Sequence, residues 1–291
     1  MSARHPIISV TGSSGAGTTS VRQTFETIFR REHITAAFIE GDAFHRYDRA
    51  EMERAMAEAK KRGNSHFSHF GLEANLLQEL EEVFRNYGEH GTGRTRHYVH
   101  DEHEAELHGA SVGTFTPWTD FPRNTDLLFY EGLHGASVTA KTNVAQHADL
   151  KIGVVPVINL EWIQKLTRDK SARGYTHEAA IDAILTRMPD YVKYICPQFT
   201  ETDINFQRIP TVDTSNPFVA RWIPTPDESM VVIRFKDPRG IDFPYLLSMI
   251  QMSFMSRANS IVIPGGMLDL AMQLILTPLI LTLVERRRRA S

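Results

Sequence analysis

Apolar residues recur along this chain with two different periods. Ile7 to Val10 is a short unbroken apolar run, the pattern of a strand buried on both faces. Val21, Phe25, Ile28 and Phe29 then fall at i, i+4, i+7 and i+8, which predicts a helix with one apolar face. Ala37 to Glu40, Leu127 to Tyr130, Leu150 to Ile158, Met230 to Phe235 and Ser260 to Ile263 read as further strands. Helical spacing returns over Asn75 to Tyr87, Leu160 to Lys170, His177 to Tyr194, Phe243 to Met255 and the final segment from Leu268. Arg49 to Arg62 is helix-forming but heavily charged, which predicts an exposed helix. Between Gly88 and Trp118 the periodicity fades into glycines, histidines and charges, the pattern of a long loop region facing a substrate. Strands alternating with helices predict an α/β fold with a mainly parallel sheet flanked by helices on both faces.

Composition narrows the picture. A chain of 291 residues, 42% hydrophobic, is long enough to bury a large core, and residues 1–291 are expected to form a single domain with elaborations. The net charge of −3 gives no global pull towards nucleic acid or an acidic membrane, so an anionic ligand needs local cations. Cys196 is the single cysteine, so an intrachain disulfide is impossible. The N-terminal stretch lacks signal-peptide architecture, which points to the cytoplasm. Leu268 to Val284 is very apolar, but Asp269, Gln273 and Pro278 interrupt it, so a buried helix is expected rather than a membrane span.

The glycine loop is the first candidate for chemistry. Gly12, Ser13, Ser14, Gly15, Ala16, Gly17, Thr18, Thr19 and Ser20 join a strand to a helix, and Gly-x-x-x-x-Gly-x-Thr is the spacing of a phosphate-binding loop. Its backbone N–H groups converge on phosphate oxygens and the helix N-terminus adds positive potential. Thr19 is placed to offer a hydroxyl to Mg²⁺. Thr18 stands where such loops carry lysine, so the missing cation must come from elsewhere, or the turn binds no nucleotide.

Two acidic positions follow strands. Glu131 closes the run Leu127 to Tyr130, where a carboxylate beside a phosphate loop typically orients Mg²⁺; an ordinary strand ending in a surface Glu is the plain alternative. Asp42 follows the second strand, with His45 and Arg49 close behind. Phosphorylating an alcohol needs a base, for which Asp42 is the candidate, and cations for a second anionic group, for which His45 and Arg49 are candidates. A helix start with Asp42 as its N-cap is the plain alternative. Lys165, Arg168 and Asp169 share one helix face at i, i+3 and i+4, and Arg173 and Gly174 end the run. A basic segment of this kind, around 165–175, resembles the lid of small-molecule kinases, and a solvated helix end is its alternative.

Several blocks together closely resemble the bacterial-type phosphoribulokinases: Gly12 to Gly17, Glu40 to Arg46, Phe129 to His134, Ile158 to Lys165, Asp213 to Phe218 and Arg234 to Pro244. The resemblance covers nearly the whole chain and includes the loop without lysine. It implies the P-loop kinase fold of nucleoside-monophosphate and uridine kinases, and transfer of the ATP γ-phosphate to D-ribulose 5-phosphate in the Calvin cycle. It further implies Asp42 as general base, and His45, Arg49 and Arg173 as binders of the sugar phosphate. Lys165, Arg168 and Asp169 come out as catalytic and Glu131 as the Mg²⁺-side carboxylate. A homo-oligomer, typically an octamer, activated by NADH and inhibited by AMP is implied too, with Arg234 and Arg257 as allosteric-site arginines. The disulfide switch of the plant-type branch is out of reach for one cysteine. Other kinases of this fold, acting on uridine or pantothenate, and a non-catalytic nucleotide-binding regulator are the rival readings. A GTPase is disfavoured by the absence of an Asn-Lys-x-Asp motif.

Overall fold

The computed structural model describes residues 4–12, 18–155, 157–173, 176–220 and 222–290, with the side chains of 18–20 and 168–173 outside that description. In chain order, β1 (Ile7–Thr11) leads to α1 (Thr18–Arg31), β2 (Ala36–Glu40), α2 (Arg49–Lys61) and α3 (Leu77–His90). The segment read as loop holds β3 (Arg94–Thr95), α4 (Glu102–His108) and β4 (Thr119–Asp120). Then come β5 (Leu127–Gly132), β6 (Leu150–Val154), α5 (Ile158–Arg173), α6 (His177–Asp190) and the short α7 (Gln198–Glu201). The chain closes with β7 (Ile204–Pro210), β8 (Ser229–Phe235), α8 (Phe243–Met249), β9 (Phe254–Arg257), β10 (Ser260–Pro264) and α9 (Leu268–Ala290).

The main sheet has strand order β2-β5-β1-β6-β7-β8-β10-β9. Its first five strands are parallel neighbours, and β8, β10 and β9 continue it antiparallel. Alternation along β1 shows why both faces are apolar: Ile8 and Val10 join the core under α1 and α9, while Ile7 joins the opposite core against α3. Each such fully buried side chain contributes roughly 1.5–3 kcal/mol of transfer free energy. The sheet therefore matches the expected mixed, mainly parallel α/β architecture.

Several element boundaries differ from the pattern in the sequence. The strand expected over Leu150 to Ile158 ends at Val154 and a helix begins at Ile158. Pro156 has no N–H to continue a ladder. The helix expected over Phe243 to Met255 stops at Met249. Met252 adopts a left-handed φ of 59°, and the remaining residues become β9, paired with β10. β7 is not announced as an element, although Ile204 and Phe206 are buried in alternation with Asn205. The exposed α4 buries no residue, so no apolar stripe betrays it; Asp101 caps it and Gly109 ends it in a left-handed turn. By length and composition α9 is a helix that meets the demands of a membrane span. Here Ala271, Met272, Ile275, Leu276, Ile280, Leu283 and Val284 are buried in the core beneath α1.

Candidate active site

The carboxyl ends of β2 and β5 lie side by side, with Glu40 in register with Glu131. The glycines that follow them permit a close crossing. A Cβ on Gly41 would sit 2.7 Å from the Cα of Gly132, so neither position tolerates a side chain without displacing backbone. This crossing turns the chain into a 3₁₀ turn, Gly41–Phe44, whose Ala43 and Phe44 are buried and whose Asp42 side chain is partly exposed. Asp42 caps no helix. The N-cap of α2 is Asp48, which forms a capping box with Glu51, so the helix-start alternative does not account for Asp42. Glu40 is engaged by the Arg22 guanidinium, which also holds Glu26 at 2.9 Å.

Asp42 is tied from behind by His45. The Nε2 of His45 lies 3.1 Å from Oδ1 of Asp42, and its Nδ1 lies 2.9 Å from Oδ1 of Asn75. Asn75 donates from its amide nitrogen to the carbonyls of His69 (2.8 Å) and Gly71 (2.7 Å), so its oxygen must be the acceptor for His45. Both ring nitrogens of His45 therefore face acceptors, and the ring fits as an imidazolium. Burial pushes the Asp42 carboxyl up, but the charged His45, with His100 and His69, outweighs it and holds the group well below the usual carboxylate range. Burial likewise pushes His45 down, while Asp42 and then Asn75 outweigh it and raise its pKa.

Two neutral imidazoles line the back of this pair. His69 stacks on His45 with ring centroids 4.0 Å apart, and His134 Nε2 donates to the His69 carbonyl at 3.1 Å. Desolvation lowers His69 to about 3 and His134 to about 4, so both are uncharged at neutral pH. The segment from Arg94 to Thr116 closes the front. Arg96 donates to the carbonyls of Ala43 (2.8 Å) and His45 (2.7 Å), and its guanidinium lies 3.6 Å from the ring centroid of Phe115. His100 Nε2 stands 3.5 Å from Oδ2 of Asp42, and His97 Nδ1 3.9 Å from Glu40. Arg49, opening α2, reaches the His100 carbonyl at 3.4 Å and packs under Gly113. Asp42, His45, Arg49 and the ends of β2 and β5 are thus brought together at one sheet edge.

The remaining sequence candidates fall in three places. Ser13, Ser14, Gly15, Ala16 and Gly17 lie outside the described residues; Thr18, Thr19 and Ser20 begin α1, and their side chains are not described. Lys165 lies on α5, together with the backbones of Arg168, Asp169 and Arg173, whose side chains lie outside the description. α5 packs on α6 through Leu166, Ala180 and Ile184, and Trp162 stacks on Phe218 with centroids 5.1 Å apart. Arg234 and Arg257 are remote from Asp42 along the sheet and line a cavity of about 580 Å³ with Asn205, Gln207 and Asn259. Sequence reasoning missed Asn75, His69, Arg96 and the Arg22–Glu40 pair. Asn75 has the pattern of a helix start, and only the fold carries it 30 residues back to His45.

Comparison with known proteins fits this site. The family model described as "Phosphoribulokinase / Uridine kinase family" matches residues 7–215. A protein of Nitrobacter vulgaris named phosphoribulokinase is 75% identical over 287 residues, 99% of each chain. A phosphoribulokinase of Sinorhizobium medicae is 68% identical over 291 residues, 100% of both chains. Among solved structures, a phosphoribulokinase from Rhodobacter spheroides superposes with a TM-score of 0.92 at 63% identity, covering 99% of this chain and 100% of that one.

Proposed function

The chain belongs to the phosphoribulokinase / uridine kinase family, and from that premise we propose that it transfers the γ-phosphate of ATP to D-ribulose 5-phosphate. The products are ADP and D-ribulose 1,5-bisphosphate, the latter feeding carbon fixation in the Calvin cycle. The observation that carries the reading is a partly exposed carboxylate, Asp42, following β2 at the carboxyl edge of the parallel strands, with one oxygen tied by His45 and the other 3.5 Å from His100. In the reaction, Asp42 accepts the proton of the C1 hydroxyl as that oxygen forms its bond to phosphorus and the bond to ADP breaks. In a loose phosphoryl-transfer transition state the hydroxyl proton is lost late, so even a weakly basic carboxylate serves as its acceptor.

The other roles follow the same chemistry. Backbone N–H groups of the segment from Ser13 to Ser20 hold the ATP phosphates, while that of Gly12 is given to the Gly132 carbonyl at 3.2 Å. Lys165 and Arg168 offset charge on the transferring group, with Asp169 beside them on α5. Arg49 and Arg173 serve the sugar phosphate, and His45, whose two N–H groups are committed to Asp42 and Asn75, adds its positive charge rather than a hydrogen bond. Glu131 and Thr19 are the oxygen donors offered to Mg²⁺, which supplies charge neutralisation on the phosphates when bound. A hard cation that keeps water and phosphate ligands needs only one or two protein carboxylates, and Glu131 is the one offered here.

NADH activation and AMP inhibition are proposed for the cavity of Arg234 and Arg257, whose two cations suit a nucleotide phosphate. A homo-oligomer, an octamer in the resembling branch, is supported by the open edge of β9 and by exposed Met249, Met252 and Phe254 beside it. A cytoplasmic location, with neither nucleic acid nor membrane as partner, completes the reading. ATP-dependent formation of the bisphosphate, followed by coupled ADP release, tests it; equal turnover of uridine and no turnover of ribulose 5-phosphate would favour the rival kinase.

A further inference from the structure

We propose that Asn75 is a positioning residue for this reaction: through His45 it fixes the Asp42 carboxylate so that Oδ1 is held by the imidazole and Oδ2, which lies 3.5 Å from His100 Nε2, is presented to the substrate hydroxyl. The inference rests on the reading of Asp42 as the base.

Three constraints converge on the His45 ring and a fourth on its backbone carbonyl. Asn75 accepts from Nδ1 at 2.9 Å, and Asp42 accepts from Nε2 at 3.1 Å. His69 covers one face of the ring at 4.0 Å. Arg96 holds the His45 carbonyl at 2.7 Å. Asn75 governs two of these, because the amide that receives His45 also holds the carbonyl of His69, the stacking residue. A ring free to flip would present Nδ1 or carbon to Asp42, and the carboxylate would lose its fixed rotamer. Asn75 is 3% exposed, so no water competes for its oxygen.

The join between the two segments does not need this side chain, whose structural part is to hold the His69 and Gly71 carbonyls within its own loop. Arg46 N donates to the Ala74 carbonyl at 2.9 Å and Leu76 N to the Phe44 carbonyl at 2.8 Å, joining the two segments without the Asn75 amide. What the amide adds is control of the ring. The charged and titratable groups around His45 are Asp42 from its own turn, His69 from the preceding loop, Arg96 from the segment after β3, and His134 beyond β5. Of these, only Asp42 favours the charged ring, and Asn75 is the neutral acceptor that completes it.

The test is a mutant cycle on the full-length enzyme. In Asn75→Ala, kcat/KM for ribulose 5-phosphate should fall about 10- to 100-fold, the loss expected for one hydrogen bond to a charged group. The double variant with His45→Asn should fall no further than His45→Asn alone, because Asn75 acts through that ring. The alkaline limb of the pH profile should move to lower pH, since His45 loses an acceptor that favours its charged form. Multiplying losses, or a folded Asn75→Ala with wild-type kcat/KM and pH profile, would overturn the proposal. If Asn75→Ala does not fold, ¹⁵N-histidine NMR of the wild-type protein decides. Two protonated nitrogens on His45 at pH 7 support the proposal, and a neutral ring sinks it. Asp42→Asn separates the two levels of inference. Retained turnover there defeats the base reading itself, whereas an inactive Asp42→Asn beside a normal Asn75→Ala defeats only the positioning role.

Discussion

Asp42 sits on a four-residue turn held by His45, backed by Asn75 and Arg96, and floored by the buried Ala43 and Phe44. Lys165 sits on α5, which is anchored at its start by buried Leu160 and Ile163 and, among the described residues, meets α6 through a small cluster of Leu166, Ala180 and Ile184 with partly buried Trp162 and Ile181 beside them. One element is locked to the core under the sheet and the other rests on a small satellite cluster. Under the proposed roles the difference corresponds to two jobs: a base must be pre-oriented, whereas cations that close over ATP must let product leave. Local stability follows the apolar contacts an element makes, so the α5–α6 pair is expected to open more readily than the Asp42 turn.

The sharpest probe of the locked side is Asp42→Asn. We expect kcat to fall by about 10²–10⁴-fold, with KM for both substrates little changed. Near-normal turnover would remove the reason for the rigid turn. On the other side, Lys165→Met should lower kcat by roughly 10²–10³-fold, the usual loss for one donor to developing charge. A change confined to ATP affinity would make Lys165 a ground-state binder instead. Arg49→Ala should raise KM for ribulose 5-phosphate about 10-fold while leaving KM for ATP alone, the scale of one charge-assisted hydrogen bond. An ATP effect there would put Arg49 on the wrong ligand.

Stability measurements test the packing half of the comparison. Phe84→Ala, in the core beneath the Asp42 turn, should cost about 3–5 kcal/mol, and Leu166→Ala about 2 kcal/mol because its small cluster can collapse. Equal costs in denaturant unfolding would mean the helix pair is as firmly built as the turn. The smallest effect is on pH dependence, where the histidines around Asp42 act with opposite sign. His134, lowered from 6.5 to about 4 by burial, contributes stability that is present above 6.5 and lost as pH falls towards 4. His45, raised, contributes stability that is present below 6.5 and lost as pH rises through its folded value. The wild-type melting temperature should therefore drop more than that of His134→Gln between pH 6.5 and 4; parallel curves would show that His134 protonates as freely as in an unfolded chain.

How much of this was legible beforehand differs by residue. Short-range patterns sufficed for β1, α1, β2 and β5, because each carries its own period and its own glycine or charge at the boundary. Asp42 and Glu131 could be named as acids closing buried strands, and His45 and Arg49 as cations nearby. The boundaries that failed, at Val154, Met249 and the unannounced β7, are places where tertiary pairing overrode local preference. The same is true within the site. The likeness of the chain to its family made His45 a cation for the sugar phosphate, but burial at 6% and two committed nitrogens give it a second duty towards Asp42.

The linear order of residues thus determined the periods of strands and helices, the glycine turn after β1, the acids at strand ends and the impossibility of an intrachain disulfide. Those properties depend on neighbours a few positions apart. Only the tertiary structure decided that Asn75, His69, Arg96 and His134 gather behind Asp42, and that the capping of α2 falls to Asp48. Hydrogen bonds between residues 30 or more positions apart exist only once the sheet has brought the segments together, and no local pattern encodes which partner each buried polar group will find.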